Sequence, residues 1–301
     1  MELASLLVLA IIIVTLYIGS RKRFELTPVL MLSNLIIFFI EILTAPGMSY
    51  IIYSPVVQDL AFQPIDLTNG KFYTLFTSMF LHGDFVAHLL GNMLFLFLLG
   101  SPLEQRIGKG RFAAVYFIAG LAGTLVMGFI EVDNPFILVL GASGAISGAM
   151  GALMILYPRD QIPMMVGPLL LPRVPVWLAA LSWFLLSVFQ FAVLSKSGVA
   201  WEAHLSGFIA GAVVARVLGR KEVARQEAAS KPSDLSALEP LATTPSLRNA
   251  LDMIQKEENS DIRRAWLEYF AEHAQCPQCS GRMRYQNNKL ICPCGQEFNV
   301  R

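Results

Sequence analysis

The sequence predicts an all-α membrane protein with seven transmembrane helices, followed by a small cysteine-rich module at its C-terminal end. Apolar residues make up 55% of the 301 residues and charged ones only 15%, whereas soluble domains carry roughly 25% charged residues. The charges are also uneven, since 23 of the 45 lie in the last 83 residues, from Gly219 onward. The chain therefore divides into a membrane body and a polar tail. Its net charge of +1 gives no reason to expect nucleic acid as a partner.

The membrane body contains seven apolar segments of about the length that crosses a bilayer, which takes ~20 residues. The first segment is preceded by Glu2 instead of a basic region and is followed by Arg21-Lys22-Arg23 without a small-x-small cleavage motif. These features indicate a membrane anchor and not a cleaved signal peptide. The predicted spans are 3–19, 28–45, 85–100, 112–130, 136–157, 174–194 and 199–218.

Basic residues predict the orientation of these spans. They collect in alternate loops, and loops rich in Lys and Arg stay in the cytoplasm. We therefore expect a multi-pass protein of the cell membrane with its N-terminus outside and its tail in the cytoplasm, in agreement with an odd number of spans. The basic loops contain Arg21, Lys22 and Arg23, then Arg106, Lys109 and Arg111, then Arg159 and Arg173, then Arg220 and Lys221.

Four polar residues lie inside the apolar segments at similar predicted depths. They are His88 and Asn92 in HLLGN, Ser143 in GASG and His204 in AHLSG. An ionisable residue within a span is costly and marks a functional candidate. All three spans enter from the outer side, and at 1.5 Å per residue His88, Ser143 and His204 lie about 5, 10 and 8 Å deep. The sequence thus predicts one polar site in the outer third of the membrane.

A serine and a histidine at one depth are the groups that nucleophilic catalysis requires. A serine hydroxyl is a weak nucleophile until a neutral imidazole removes its proton. Glu202 lies two positions before His204, on the opposite side of the helix, so we expect a Ser143–His204 dyad without a third residue. His88 and Asn92, one turn apart on one face, are candidate donors to an oxyanion. The alternative is that these residues only pack or hydrogen-bond between helices.

Glycines accompany the serine and the second histidine in two close-packing patterns. Gly144-x-x-x-Gly148 and Gly207-x-x-x-Gly211 are spacings that let two helix backbones approach each other. A serine hydroxyl and an imidazole on different helices need such an approach to form a hydrogen bond. The glycines therefore agree with the dyad, although alone they would indicate little.

The motifs HGDFVAHLLGN, GASGAISG and AHLSG, in this order, resemble those of the rhomboid intramembrane serine proteases, as do TSMFLHG and LEQRIGKGRFAAVYFIAG. The resemblance covers residues 28–218, a six-span catalytic domain that follows an extra N-terminal span and basic loop in 1–27. It implies that Ser143 is the nucleophile, that His204 is the general base, and that His88 and Asn92 stabilise the oxyanion. It also implies that the chain before Ser143 dips into the membrane as a loop and that Ser143 begins a shortened helix.

Two departures from the family pattern concern the surroundings of this site. Many members carry an aromatic residue four positions after the nucleophile, packed on the histidine ring, where this chain has Ser147. The Trp-Arg pair that is common in the first loop is replaced by Phe72-Tyr73. Neither departure removes a catalytic group. His82, just before its span, is expected at the loop edge in a structural role.

The predicted activity is hydrolysis of a peptide bond in the transmembrane segment of another membrane protein, near the outer leaflet and without a catalytic cofactor. The partners are then transmembrane substrates and the lipid bilayer. One alternative is a catalytically silent rhomboid-like protein for binding or quality control. A transporter is a second, against which the chain shows no internal repeat. A membrane zinc protease is a third, and the sequence contains no HExxH motif.

The polar tail is predicted to be a linker with amphipathic helices in 219–273 and a zinc-ribbon-like module in 274–301. All four cysteines of the chain form the pattern Cys276-x-x-Cys279…Cys292-x-Cys294, and four thiolates suit a closed tetrahedral zinc site. Redox-active or idle cysteines are the alternative. A reducing cytoplasm agrees with free thiolates. We expect one structural zinc and a role in binding a protein partner.

Overall fold

The computed structural model describes residues 1–21, 23–166, 169–194, 201–230, 235–257, 260–286 and 289–300. The chain divides into two compact units, Met1–Arg220 and Lys221–Arg301. The first unit is mainly helical and the second combines helices with a small sheet. The finer domain limits expected from the sequence stay predictions.

The first two helices of the membrane body pack side by side. They are α1 (Leu3–Ser20) and α2 (Leu26–Thr44). Their apolar faces meet at buried residues such as Val8 and Ile12, one turn apart on α1, and the Thr15 hydroxyl donates to Ser33 Oγ across the pair at 2.8 Å. A hydrogen bond of this kind fixes the register of two helices, because apolar contacts between membrane helices alone define it weakly.

The segment between α2 and the next long helix is folded, although the sequence was interpreted there only as a loop. The Thr77 hydroxyl donates to the Leu60 carbonyl at 2.6 Å, and the buried Asp66 carboxylate accepts from Thr74 Oγ1 and from the Gln63 N–H, each at 3.0 Å. These bonds satisfy polar groups that the protein buries. The elements are the 3₁₀ turns Met48–Tyr53 and Ser78–Phe80 and the short helices α3 (Pro55–Leu60), α4 (Asp66–Asn69) and α5 (Thr74–Thr77).

The third long helix, Phe85–Ile107, contains two π-helical stretches. Asp84 caps its start by accepting the N–H groups of Ala87 and His88 at 2.8 and 3.2 Å, the usual way to satisfy unpaired donors at a helix N-terminus. Gly108, with φ of 80°, ends the helix, and α8 (Lys109–Ile130) follows. The four parts of the third helix are Phe85–Leu90 (π), α6 (Gly91–Phe95), Leu96–Gly100 (π) and α7 (Ser101–Ile107).

The chain then enters the site through an extended stretch, which differs from the continuous span predicted for 136–157. Val139 pairs with Phe62 in an antiparallel bridge, and the next helix begins only at Ser143. The short helix is what the family resemblance implies. The elements that follow this helix include a pair of antiparallel strands that the sequence did not predict. The remaining elements are α9 (Ser143–Leu156), β1 (Gln161–Val166), β2 (Leu169–Pro175), α10 (Val176–Leu194) and α11 (Trp201–Ser230).

In the part of the chain that the structure describes, four helices are long and apolar enough to cross a membrane: Leu3–Ser20, Leu26–Thr44, Phe85–Ile107 and Lys109–Ile130. Ser143–Leu156 is apolar but shorter, as is the part of α10 from Val176 to Leu185. A helix overlaps each of the seven predicted segments, which confirms the helical membrane fold. The count of seven complete spans stays a prediction.

The second unit has its own apolar core, formed by the helical hairpin α12 (Pro245–Lys256) and α13 (Ser260–His273) and by a three-stranded antiparallel sheet. Leu238, Leu241 and Phe270 are among its fully or almost fully buried residues, so part of the segment interpreted as a linker packs into this core. The strands are β3 (Arg284–Gln286), β4 (Lys289–Ile291) and β5 (Glu297–Asn299).

Candidate active site and candidate metal centre

Ser143 is the first residue of α9, at the point where extended chain turns into helix. The turn is made at Gly141, whose φ of 120° is one that residues with a Cβ rarely adopt. The Gly141 N–H donates to the Ser78 carbonyl at 2.9 Å, which fixes the turn to the folded loop. Because Ser143 is in the first turn, its backbone N–H has no partner within the helix.

The helices that carry Ser143 and His204 touch backbone to backbone. A Cβ at Gly207 would lie 2.2 Å from the Gly144 carbonyl oxygen, and one at Gly144 would lie 3.5 Å from the Ala203 carbonyl oxygen. Gly144 follows Ser143 directly and Ala203 precedes His204. The contact therefore brings the serine and the histidine to the same level of one closely packed helix pair, as the glycine spacing predicts. One turn further on, a Cβ at Gly211 would lie 2.2 Å from the carbonyl oxygen of Gly148.

The imidazole of His204 lies against two indoles. The ring of Trp201, one turn earlier on the same helix, stands perpendicular to it at a centroid distance of 5.2 Å, and the ring of Trp183 from α10 lies at 6.3 Å. Ser147, at the position where an aromatic residue is common, is fully buried. The sequence reasoning left open how this ring is held and missed both tryptophans. The position of Trp201, one helical turn before His204, could have indicated that its ring packs on the histidine.

No hydrogen-bond acceptor reaches Nδ1 of His204 among the described residues, although this nitrogen is buried. Glu202, two positions earlier, therefore does not bond this nitrogen, and the dyad stays a prediction. Both histidines lie near the start of α9, since Gly141 approaches the His88 ring and Gly144 approaches Ala203, the residue before His204.

His88 is held in one tautomer by the backbone. The Gly83 N–H donates to Nδ1 of His88 at 3.0 Å, so Nδ1 is an acceptor and the proton of the neutral ring is on Nε2. The Nε2 edge faces the turn before Ser143, since a Cβ at Gly141 would lie 2.3 Å from it. One turn on, Asn92 is buried and donates from Nδ2 to the His88 carbonyl at 2.7 Å.

His82 and Glu41 form a second polar layer behind His88. His82 lies in the non-helical stretch before Phe85, as expected, and is fully buried there. Burial, followed by the neighbouring His88, lowers the pKa of His82 well below its usual value, so that its ring is neutral at pH 7. The ring lies edge-on to that of His88, with centroids 5.0 Å apart. Its backbone N–H donates to the carboxyl oxygens of Glu41 at 3.3 and 3.4 Å.

The sequence reasoning missed Glu41, although the signal was present. It is an ionisable residue within the apolar segment FFIEILT of α2, and the rule that flagged the histidines applies to it equally. The structure shows that its side chain is fully buried.

The four cysteines of the second unit converge in a candidate metal centre. Their sulfur atoms all lie within 4.8 Å of one another, with Sγ–Sγ distances of 3.7 Å for Cys276 and Cys294 and 3.3 Å for Cys279 and Cys292. Tetrahedral zinc with Zn–S bonds of ~2.3 Å places its sulfur ligands about 3.8 Å apart. The donor set and its spacing therefore fit one zinc ion.

Comparison with known proteins identifies one family and several similar proteins. The Rhomboid domain family matches residues 69–221. The chain is 32% identical to the rhomboid protease GluP of Bacillus subtilis over 155 residues, which are 51% of the chain and 27% of that protein. It is 40% identical to RHOMBOID-like protein 5 of Arabidopsis thaliana over 85 residues, 28% of the chain and 27% of that protein.

A third relative is matched over more of its length. The chain is 28% identical to the rhomboid protease AarA of Providencia stuartii over 217 residues, which are 65% of the chain and 75% of that protein. In contrast, the chain spans only about a quarter of the length of GluP and of RHOMBOID-like protein 5.

Proposed function

The chain belongs to the rhomboid family of multi-pass membrane proteins, and on this premise we propose that it is an intramembrane serine endopeptidase. Its substrates are transmembrane segments of other proteins, cut near the outer leaflet. Ser143 is the nucleophile, His204 is the general base, and His88 and Asn92 stabilise the oxyanion. The observation that supports the proposal is the backbone contact of Gly144 with Ala203 and Gly207, which packs the helix start that carries Ser143 against the helix that carries His204.

In the proposed reaction, Ser143 Oγ attacks the carbonyl carbon of the scissile bond while the neutral His204 ring accepts its proton. The same ring then donates this proton to the leaving amine. Water hydrolyses the acyl-enzyme by the reverse sequence, with His204 again as the base. A neutral imidazole suits this role because an unpaired charge in the membrane body would be costly.

Three donors support stabilisation of the oxyanion. The Gly83 bond to Nδ1 leaves the proton of His88 on Nε2, the atom that faces the turn before Ser143. The Ser143 N–H has no partner within α9 and lies at the positive end of that helix. The Asn92 amide has a second N–H besides the one that binds the His88 carbonyl. Donors fixed in a dry site stabilise developing charge far better than water-exposed ones.

The proposed orientation follows from the basic residues. They lie in alternate loops and favour an outside N-terminus and a cytoplasmic tail.

The proposed role of the second unit follows from its cysteines. The unit holds one structural zinc through Cys276, Cys279, Cys292 and Cys294, because four sulfurs at tetrahedral spacing form a closed site without an open position for chemistry. We assign this unit to binding a protein partner and not to catalysis.

The rival function is a catalytically silent rhomboid-like binding protein. The matches support family membership, and the relatives include proteins named only rhomboid-like, so retention of Ser143 and His204 is what favours an enzyme. A transporter is disfavoured because the sequence shows no internal repeat.

The test is cleavage of a panel of transmembrane substrates by the purified protein, with cut sites mapped by mass spectrometry. Ser143→Ala and His204→Ala should each abolish cleavage, and the double variant should be little worse because the pair acts as a unit. A fluorophosphonate should label Ser143 in the wild type. Full activity of folded Ser143→Ala would refute the mechanism, and no cleavage or labelling by the wild type would favour the silent protein.

A further inference from the structure

Glu41 is a buried carboxyl that the proposed mechanism does not use. It lies near the C-terminal end of α2, has no exposed surface, and is surrounded in sequence by apolar residues of a membrane helix. Such a residue is retained where it has a partner or a role. Among the described residues, the carboxyl accepts hydrogen bonds from one donor, the backbone N–H of His82.

That donor belongs to the turn that fixes the tautomer of His88. The N–H of His82 binds Glu41, and the N–H of the next residue, Gly83, binds Nδ1 of His88 at 3.0 Å. The ring of His82 also packs edge-on against that of His88, at a centroid distance of 5.0 Å. The carboxyl is therefore one residue away from the donor that decides which nitrogen of His88 carries the proton.

We propose that Glu41 is a positioning residue for His88: it holds the His82–Gly83 turn on α2 so that the Gly83 N–H stays on Nδ1 and the proton stays on Nε2. Without this anchor the turn can move, and the ring can exchange to the tautomer that has no donor on Nε2. The catalytic consequence rests on the proposed function, in which Nε2–H binds the oxyanion. The effect on the tautomer does not depend on it.

A second buried carboxyl, Glu104 of α7, binds the other end of α2 and gives a matched control. Glu104 accepts the backbone N–H groups of Leu26 and Thr27 at 2.6 and 2.8 Å and the Thr27 hydroxyl at 2.8 Å. It thus caps the N-terminal end of α2, whereas Glu41 lies near the C-terminal end. Removing either carboxyl frees buried donors and destabilises the fold, but only Glu41 touches the turn before His88.

The first experiment observes His88 directly. The chain has four histidines, and ¹⁵N-histidine spectra of the purified full chain in detergent distinguish a protonated Nε2 from a protonated Nδ1. A His88→Asn variant assigns the signals. Glu41→Met keeps the side-chain volume but removes the acceptor, and it should convert His88 to a mixture of tautomers. Glu41→Gln, which keeps an acceptor oxygen, and Glu104→Met should both retain the wild-type pattern.

Unchanged His88 signals in folded Glu41→Met would overturn the proposal, and so would an equal change in Glu104→Met. Thermal unfolding of each variant establishes that it is folded. If Glu41→Met does not fold, Glu41→Ser, whose side chain is too short to reach the His82 N–H, replaces it with the same expected mixture of tautomers.

The second experiment measures cleavage of a transmembrane substrate. Glu41→Met should lower kcat by about 10- to 100-fold, not beyond the ~10²–10³-fold loss typical of removing an oxyanion donor, with KM unchanged and with rescue by Glu41→Gln. Glu41→Met combined with His88→Ala should be no slower than His88→Ala alone. If the fold-losses in kcat of the two single variants multiply in the double variant, Glu41 does not act through His88. If the wild type does not cleave, the proposed function fails, while the spectra still decide the role of Glu41.

Discussion

Gly207→Ala tests the contact between the helices that carry Ser143 and His204. The added Cβ would lie 2.2 Å from the carbonyl oxygen and 2.9 Å from the carbonyl carbon of Gly144. Both atoms are backbone, so no side-chain rotation relieves the clash. Ordinary contact requires about 3.4 Å, so α11 must move from α9 by about 1 Å, a shift that interiors packed like crystals resist.

This shift should act mainly on the chemistry. Gly207 lies one turn after His204 and its contact Gly144 follows Ser143, so the displacement enters directly into the distance between the proposed base and nucleophile. A misplacement of about 1 Å can lower turnover ~10²-fold, and overpacking of this kind costs roughly 1–3 kcal/mol of stability. We therefore expect a folded protein with a lower unfolding temperature and about 1% of the wild-type kcat.

Steady-state cleavage in detergent and thermal unfolding, measured on the same preparation, provide the assay. The matched control is Gly110→Ala in α8, where an added Cβ meets no atom within 4 Å. It should keep the wild-type rate and gain up to ~1 kcal/mol from the better helix propensity of alanine. Wild-type kcat and unfolding temperature in Gly207→Ala would refute the inferred contact and the argument that depends on it.

Three further predictions follow from the site and the tail. His88→Ala and Asn92→Ala should each slow cleavage by ~10²–10³ while fluorophosphonate still labels the serine slowly; full rates in both would leave only backbone donors. Trp201→Ala should lower kcat about tenfold by loosening the ring of the base, and Trp201→Phe should restore most of the rate. The full chain should contain about one zinc by elemental analysis, which Cys276→Ser/Cys292→Ser removes without loss of cleavage in detergent; loss of cleavage would tie the tail to catalysis.

The helices of the membrane body could be predicted from the sequence because each apolar run is long and uninterrupted. The limits of 136–157 could not. Hydropathy does not distinguish a buried extended strand from a helix. Tertiary contacts keep the chain extended until the helix begins at Ser143: Val139 pairs with Phe62, and the Gly141 N–H binds the Ser78 carbonyl. Both partners lie about 60 to 77 residues away in the chain, beyond the reach of any local pattern.

Within the candidate site, the residues with chemical function could be predicted and those that orient them could not. His88 and Ser143 stand out because they are polar in apolar runs. Trp183, in contrast, is an ordinary residue of an apolar helix until α10 packs beside α11 and sets its ring near His204. Glu41 could have been found as an ionisable residue in an apolar segment. Its connection to His88 could not, because it is made by the backbone N–H of His82, and the types of residues in a sequence do not indicate which backbone groups form hydrogen bonds.

The surroundings of His204 explain why a dyad without a carboxylate suits this chain. In soluble triads, a buried carboxylate fixes the ring and stabilises the imidazolium. Here the ring nitrogen that would bind it has no acceptor among the described residues, and a third ionised group in the membrane body would cost several kcal/mol before any gain. Two indoles restrict the ring by contact alone, so its orientation costs no desolvated charge. The proposed base must then work without stabilisation of its charged form, which places more of the barrier reduction on the donors around Ser143.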